Sequence, residues 1–219
     1  LSCLLVSLTS ILRRYCVYWI GEFDTKGPIM ADEEKKPAAA DAQIQEKLLK
    51  TRSVLLSGEI DKESADTIIK QLLVLDGESS EPIKLFINSP GGDVDAGYAI
   101  YDMVRFIKAP VTMIGMGLVA SAAVLVLLAV PSERRIGLPN STYLIHQPMS
   151  GMRGVATAIE IHAQHLEKLR TKLDLLISTE TGKSLETVVL DTERDHWLSA
   201  DEAQAYGLVS KIISTRDDL

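Results

Sequence analysis

IKLFINSPGGDVDAGYAIYDMVRFIKAPVTMIGM, residues 83–116, decides the fold. Ile83–Asn88 is largely apolar and rich in strand-forming residues, and it predicts a strand. SPGG, residues 89–92, turns the chain. Ala96–Lys108 then carries Ala99, Ile100, Met103, Val104 and Ile107 at helical spacing. Val111–Met116 is a second short apolar run and a second predicted strand. A strand, a helix and a strand in one short stretch call for a right-handed crossover between parallel strands. The expected class is therefore α/β with a mainly parallel sheet.

The flanks continue the alternation. Ser53–Ser57 (SVLLS) predicts a strand, and Ile44–Lys50 before it a short helix. Lys62–Asp76 places Ala65, Ile68, Ile69, Leu72 and Leu75 on one helical face, with Asp61 or Ser64 at its start as the cap. Gly77–Pro82 is a loop. Downstream, Ala120–Val130 (ASAAVLVLLAV) is almost wholly apolar. It is too short to cross a bilayer, which takes about 20 apolar residues, and reads as a buried central helix. Arg134–Pro139 and Ser141–His146 are predicted strands around a turn at Pro139 and Asn140. A long helix is expected over Val155–Gly182, stopped at Thr181-Gly182. Ser184–Asp191 and Ser199–Tyr206 are shorter helices, and LVSKII, residues 208–213, makes a last short strand. No internal repeat is present.

The 219 residues suit one domain, with 46% hydrophobic and 24% charged residues and a formal net charge of −7. No block of Lys and Arg marks a nucleic-acid surface. The two cysteines, Cys3 and Cys16, both lie near the start. The rest of the chain therefore holds neither a disulfide framework nor a Cys-based metal site, which fits a reducing compartment.

Residues 1–29 begin with an apolar run interrupted by Arg13 and Arg14. The run is short for a membrane span, and the charges follow it where a secretory signal has them in front. The chain starts with Leu, and Met30 opens a plausible new start. Residues 1–29 are expected to be a mis-assigned leader or a non-native extension. Residues 30–43, rich in Ala, Glu, Lys and Asp, are expected to be a disordered tail. Ordered structure is expected over 44–213, followed by a tail at 214–219.

Three features carry chemistry. Asn88-Ser89-Pro90-Gly91-Gly92 follows a strand, and its glycines let the backbone turn N–H groups outward. An oxyanion hole needs such donors, and so does an ordinary tight turn. Ser121 in GLVASAAV follows a strand and a short Gly-containing turn, at the start of the apolar helix. It can be a nucleophile or merely an N-cap. His146 in LIHQP ends an apolar strand. It is a core residue unless it both accepts a proton from Ser121 and is oriented by a carboxylate. Asp191, Glu193 and Asp195 in DTERDHW all stand as that carboxylate, and residue chemistry does not choose among them.

NSPGG (88–92), GLVASAAVLVLLA (117–129), LPNSTYLIHQP (138–148) and DTERDHWLSADEAQAYGLV (191–209) together resemble the ClpP family, the proteolytic subunits of ATP-dependent Clp proteases. The resemblance runs from about Ile44 to Ile213. The intervals of 29 residues from Gly92 to Ser121, 25 to His146 and 49 to Asp195 match the family's pattern without a gap. It implies a crotonase-like α/β fold of repeated ββα units with a long handle helix for contact between rings. It implies a serine endopeptidase with Ser121 as nucleophile, His146 as general base and then acid, and Asp195 as the group that orients His146. Backbone N–H groups of Gly92 and Ala122 would form the oxyanion hole. Glu193 and Arg194, with Gly151 and Gly154 ahead of the long helix, match positions that couple the rings to the active site. No metal or other cofactor is implied, and ATP is used only by the partner.

The implied partners are further copies of the chain, alone or with a paralogue, in two stacked heptameric rings. An AAA+ Clp ATPase is also implied, with unfolded proteins and peptides as substrates, in the cytoplasm and with no membrane or nucleic acid. No phosphate-binding GxxxxGK[ST] occurs in this chain, so unfolding must come from that ATPase. The stripe Ile159, Leu166, Leu169, Leu173 and Leu176 is the expected ring-contact face of the handle helix.

Three positions depart from the pattern. Ala122 stands where the family usually has Met, and Ala123 where it has Gly, which predicts more space beside the nucleophile. Lys84 replaces one of two aromatics that help ATPase loops dock, while Phe86 keeps the other. His162 and His165, at i and i+3, have the spacing of metal ligands but no completing carboxylate or Cys pattern, and read as solvated helix residues. Three rival readings remain: a catalytically divergent ring subunit paired with an active paralogue, an acyl-CoA enzyme of the crotonase superfamily, and a membrane-associated signal-peptide peptidase of related fold. The last typically uses a Ser–Lys pair.

Overall fold

The computed structural model describes residues 38–219. The expectations for residues 1–29, and for 30–37 of the tail, lie outside the described residues.

The first helix, α1 (Ala38–Lys50), begins six residues before the expected Ile44, so the tail reading does not hold for residues 38–43. The physical reason is AAADAQ, a run rich in alanine, the residue of highest helix propensity. Next come β1 (Ser53–Ser57), α2 (Lys62–Glu78), β2 (Ile83–Ser89), α3 (Val94–Phe106) and β3 (Val111–Ala120). They are followed by α4 (Ala122–Leu127), β4 (Arg135–Gly137), β5 (Thr142–Ile145), α5 (Ala156–Thr181), α6 (Leu185–Thr192), β6 (His196–Ser199), α7 (Ala200–Tyr206) and β7 (Lys211–Ile212). Both cap candidates of α2 are used, since Asp61 accepts from the Ser64 N–H and the Ser64 hydroxyl accepts from the Asp61 N–H.

The sheet runs β1-β2-β3-β4-β7, with β5 pairing β3 and β6 pairing β5. All pairings are parallel except β5 with β6, as the α/β reading expects. β6 has no counterpart among the predicted strands. HWLS is short and half-exposed, so its pairing with β5, not its pattern, makes it a strand.

β3 also runs four residues past its expected end at Met116. Its register with β2 jumps from Ile87↔Gly115 to Ser89↔Val119, a bulge at Met116–Leu118. Asn88 fills that bulge, its side-chain oxygen accepting the Leu118 N–H at 3.1 Å. Before the bulge β3 pairs with β4; after it, with β5. The change of partner carries Ala120 and Ser121 across to the end of β5.

The main core joins Leu56, Ile60, Ile68, Leu72, Leu85, Ile87, Ile100 and Met113 to α4, whose six residues are all buried. α4 is shorter than the predicted Ala120–Val130, but Leu128–Val130 stay buried beyond its end. On the other sheet face, Phe86 and Leu138 pack on Ile114, Ile136 and Ile213.

Candidate active site

The ladder between β3 and β5 ends at Ala120↔Leu144, and the Ser121 N–H donates to the Leu144 carbonyl at 2.9 Å. The chain then turns sharply through Ser121, with φ 55° and ψ −121°. A side-chain-bearing residue held there costs about 1–3 kcal/mol. Capping does not offset it: Ser121 occupies the N-cap of α4 but its hydroxyl makes no capping hydrogen bond. The hydroxyl lies 2.8 Å from His146 Nε2 instead.

His146 follows the last residue of β5. Antiparallel pairing places Ile145 opposite His196, so Asp195, one residue ahead of β6, reaches the imidazole. Asp195 Oδ1 is 3.0 Å from His146 Nδ1. The imidazole is 12% exposed and the carboxylate 60%. The two neighbouring carboxylates are engaged elsewhere. Asp191 accepts the Tyr206 hydroxyl at 2.9 Å and sits 4.0 Å from His196 Nδ1. Burial, and then Asp191 itself, push the Tyr206 phenol up in pKa. Glu193 pairs with Arg170 at 2.5 Å. Among the three carboxylates that the sequence left open, the geometry brings only Asp195 to the imidazole.

Gly91 (φ 88°) and Gly92 (φ 145°) both occupy backbone regions that favour glycine. Gly91 leans on the Ser121 turn: a Cβ there would come within 2.5 Å of the Ala120 carbonyl oxygen, 2.8 Å of Ser121 Cβ and 2.9 Å of the Ala122 nitrogen. The loop is held by the Ile60 N–H donating to the Gly91 carbonyl and the Asp93 N–H donating to the Ile60 carbonyl. Ser89, fully buried, accepts the Gly91 N–H through its hydroxyl. The Gly92 N–H has no acceptor among the described residues, and Ala122 is the first residue of α4, where an amide lacks an intrahelical partner. The two amides thus belong to segments that meet where Gly91 packs against Ser121 and Ala122.

An apolar cleft opens beside Ser121 and His146, walled by Val94, Ala122, Leu125, Ile145, Leu173 and Ile177. Leu173 and Leu176 thus line the cleft, and Leu166 lies near His146 and Asp195. The stripe read as a ring-contact face splits here: these leucines turn to the active site, while Ile159 stays exposed. The sequence could not separate them, because one stripe of a long helix serves two surfaces.

Gly151 and Gly154 lie on the loop ahead of α5, and a Cβ at Gly151 would meet nothing within 4 Å. Arg194 lines a second cavity with Glu193, His146 and Asp195. His162 Nε2 bonds to the Ser150 hydroxyl at 2.9 Å. Among the described residues, no three His, Cys, Asp or Glu side chains gather as a metal site, and no helix is long and apolar enough to cross a membrane. Asn88, which plugs the β3 bulge, was missed as a site-building residue. Its place at the end of a strand and directly before SPGG was the available signal.

The Clp protease family matches residues 36–216. The chain is 58% identical over 192 residues to the ATP-dependent Clp protease proteolytic subunit 2 of Treponema pallidum, covering 86% of this chain and 96% of that protein. It is 44% identical to the proteolytic subunit 3 of Rhizobium etli, covering 86% and 97%. A ClpP1 mutant from Listeria monocytogenes superposes with a TM-score of 0.75 at 46% identity, over 80% of this chain and 98% of that one. With the match spanning nearly all the described residues, and the Ser–His–Asp geometry standing within it, the chain belongs to the Clp protease family.

Proposed function

We propose that this Clp-type serine endopeptidase cleaves peptide bonds with Ser121 as nucleophile, His146 as base and acid, and Asp195 as the group that orients His146. One observation carries the reading: a single imidazole meets the Ser121 hydroxyl at 2.8 Å through Nε2 and the Asp195 carboxylate at 3.0 Å through Nδ1. Nε2 takes the hydroxyl proton as Oγ attacks the substrate carbonyl. Asp195 holds the tautomer with hydrogen on Nδ1 and stabilises the imidazolium that forms. The N–H groups of Gly92 and Ala122 donate to the oxyanion. His146 returns its proton to the leaving amine, giving an acyl-enzyme, and then activates the water that hydrolyses it. These steps use side chains and backbone alone, without metal or cofactor.

The cavity beside Ser121 is lined by apolar side chains but holds only about 20 Å³, so an apolar residue on the acyl side of the cut bond enters it as these side chains move apart. The family supports assembly into two stacked seven-membered rings, alone or with a paralogue, fed with unfolded chains by an AAA+ ATPase in the cytoplasm. Exposed Ile159, Ile161, Leu175, Leu190 and Trp197 supply apolar surface for such contacts. Glu193, Arg194, Gly151 and Gly154 are the residues proposed to link ring contact to the site.

The test is labelling with a fluorophosphonate, followed by peptide mapping. The adduct is expected on Ser121 and is expected to vanish in His146→Ala. An adduct elsewhere, or one indifferent to His146, would overturn the reading.

A further inference from the structure

The catalytic imidazole and carboxylate sit on two segments that are tied together on both sides. On one side the β5–β6 ladder pairs Ile145 with His196. On the other, the Gln147 N–H donates to the Thr192 carbonyl at 2.7 Å, and the Gln147 side-chain amide donates to the Glu193 carbonyl at 2.8 Å. His146 and Asp195 lie between these two ties. The Asp195 carboxylate is more than half exposed, so packing does little to aim it. Its aim depends on where the 192–195 turn is held.

The second tie has an anchor. Asp174, on α5, is 3% exposed, and its Oδ1 lies 2.8 Å from the hydroxyl of Thr192, itself 1% exposed, which shares its proton between this carboxylate and the Val188 carbonyl at 2.9 Å. Arg170, one turn earlier, reaches Asp174 at 3.8 Å and Glu193 at 2.5 Å. A carboxylate buried away from water is costly unless it is hydrogen-bonded and paired. Here Arg170 supplies the pairing charge, and the hydrogen bond falls on the residue whose carbonyl also receives Gln147.

We infer that Asp174 is a positioning residue for the peptidase reaction: through Thr192 and Gln147 it fixes the turn bearing Asp195 against the segment bearing His146. Because α5 carries the anchor, displacement of this helix moves Thr192, and with it the His146–Asp195 hydrogen bond. Asp174 touches no reacting atom, so its effect falls on kcat more than on KM.

The inference rests on the proposed triad, and the experiment separates the two. Peptidase kinetics of the full chain are normalised to the number of sites titrated by a fluorophosphonate, for Asp174→Ala, Asp174→Asn, Thr192→Val and Thr192→Ser. A charge-assisted hydrogen bond lost from the anchor should lower kcat per titrated site by about 10- to 100-fold in Asp174→Ala, with KM nearly unchanged. Asp174→Asn retains an acceptor oxygen for Thr192 and should stay within about threefold of the parent. Thr192→Val should follow Asp174→Ala, and Thr192→Ser should follow Asp174→Asn. A purely structural role would lower melting temperature and the titrated fraction while leaving the per-site rate intact, and that result overturns the inference. So does a kcat loss in Asp174→Asn as deep as in Asp174→Ala. If Asp174→Ala does not fold, the Thr192 pair decides alone. A parent protein without Ser121-dependent hydrolysis sinks the triad and this inference together, whereas an active parent with indifferent Asp174 and Thr192 variants sinks this inference only.

Discussion

Gly91→Ala adds one carbon atom at the point where the SPGG loop presses on the nucleophile. The new Cβ would lie 2.5 Å from the Ala120 carbonyl oxygen, 2.8 Å from Ser121 Cβ and 2.9 Å from the Ala122 nitrogen. Two of these atoms are backbone, and the third is the first side-chain carbon of the nucleophile, so no rotamer change relieves the overlap. The backbone there also has φ 88°, which costs a side-chain-bearing residue about 1–2 kcal/mol. Overpacking adds about 1–3 kcal/mol more. The loop relaxes away from the Ser121 turn, taking Gly92 with it, since Ile60 clasps Gly91 and Asp93 on either side. Displacing one oxyanion donor lowers kcat by about 10²- to 10³-fold. Steady-state hydrolysis of a fluorogenic peptide, with calorimetric melting of the same samples, measures both effects. The melting temperature should fall by several degrees, and kcat should fall far more than the folded fraction. A Gly91→Ala protein with kcat within about twofold of the parent would refute the claim that this contact sets the oxyanion geometry.

Ser121→Ala should abolish peptide hydrolysis while leaving the sedimentation profile unchanged, because the hydroxyl contributes only the bond to His146. Asp195→Asn should lower kcat by about 10⁴-fold through the wrong imidazole tautomer. Asp191→Asn should leave kcat within a few-fold of the parent, because Asp191 only accepts the Tyr206 hydroxyl and an amide oxygen can still do so; equal activity losses would contradict the geometry. Ala122→Met should narrow the apolar cleft, reducing kcat/KM for substrates with a large acyl-side residue by about tenfold relative to alanine substrates. A P1 substrate series reads that ratio, and an unchanged ratio would place the acyl-side residue elsewhere.

The alternation of strand and helix over residues 53–116 was legible in the sequence because apolar periodicity is local. The boundaries of β1 agree with it, and those of β2 and α3 differ only by a residue or two. Resemblance then singled out Asp195 among three nearby carboxylates that residue chemistry could not rank. What only the tertiary structure decided follows from pairing between distant segments. β6 has a weak pattern and exists through β5, and that pairing is what delivers Asp195 to His146. The extension of β3 depends on Asn88 plugging a bulge thirty residues away. The apolar stripe of α5 is continuous in spacing, and only packing sends Leu173 to the cleft and leaves Ile159 outside. Nor does Asp174 look different in sequence from any solvated helix aspartate until Thr192 is folded against it. Propensity and periodicity act within a few residues, whereas a hydrogen bond across the fold exists only once the chain has closed.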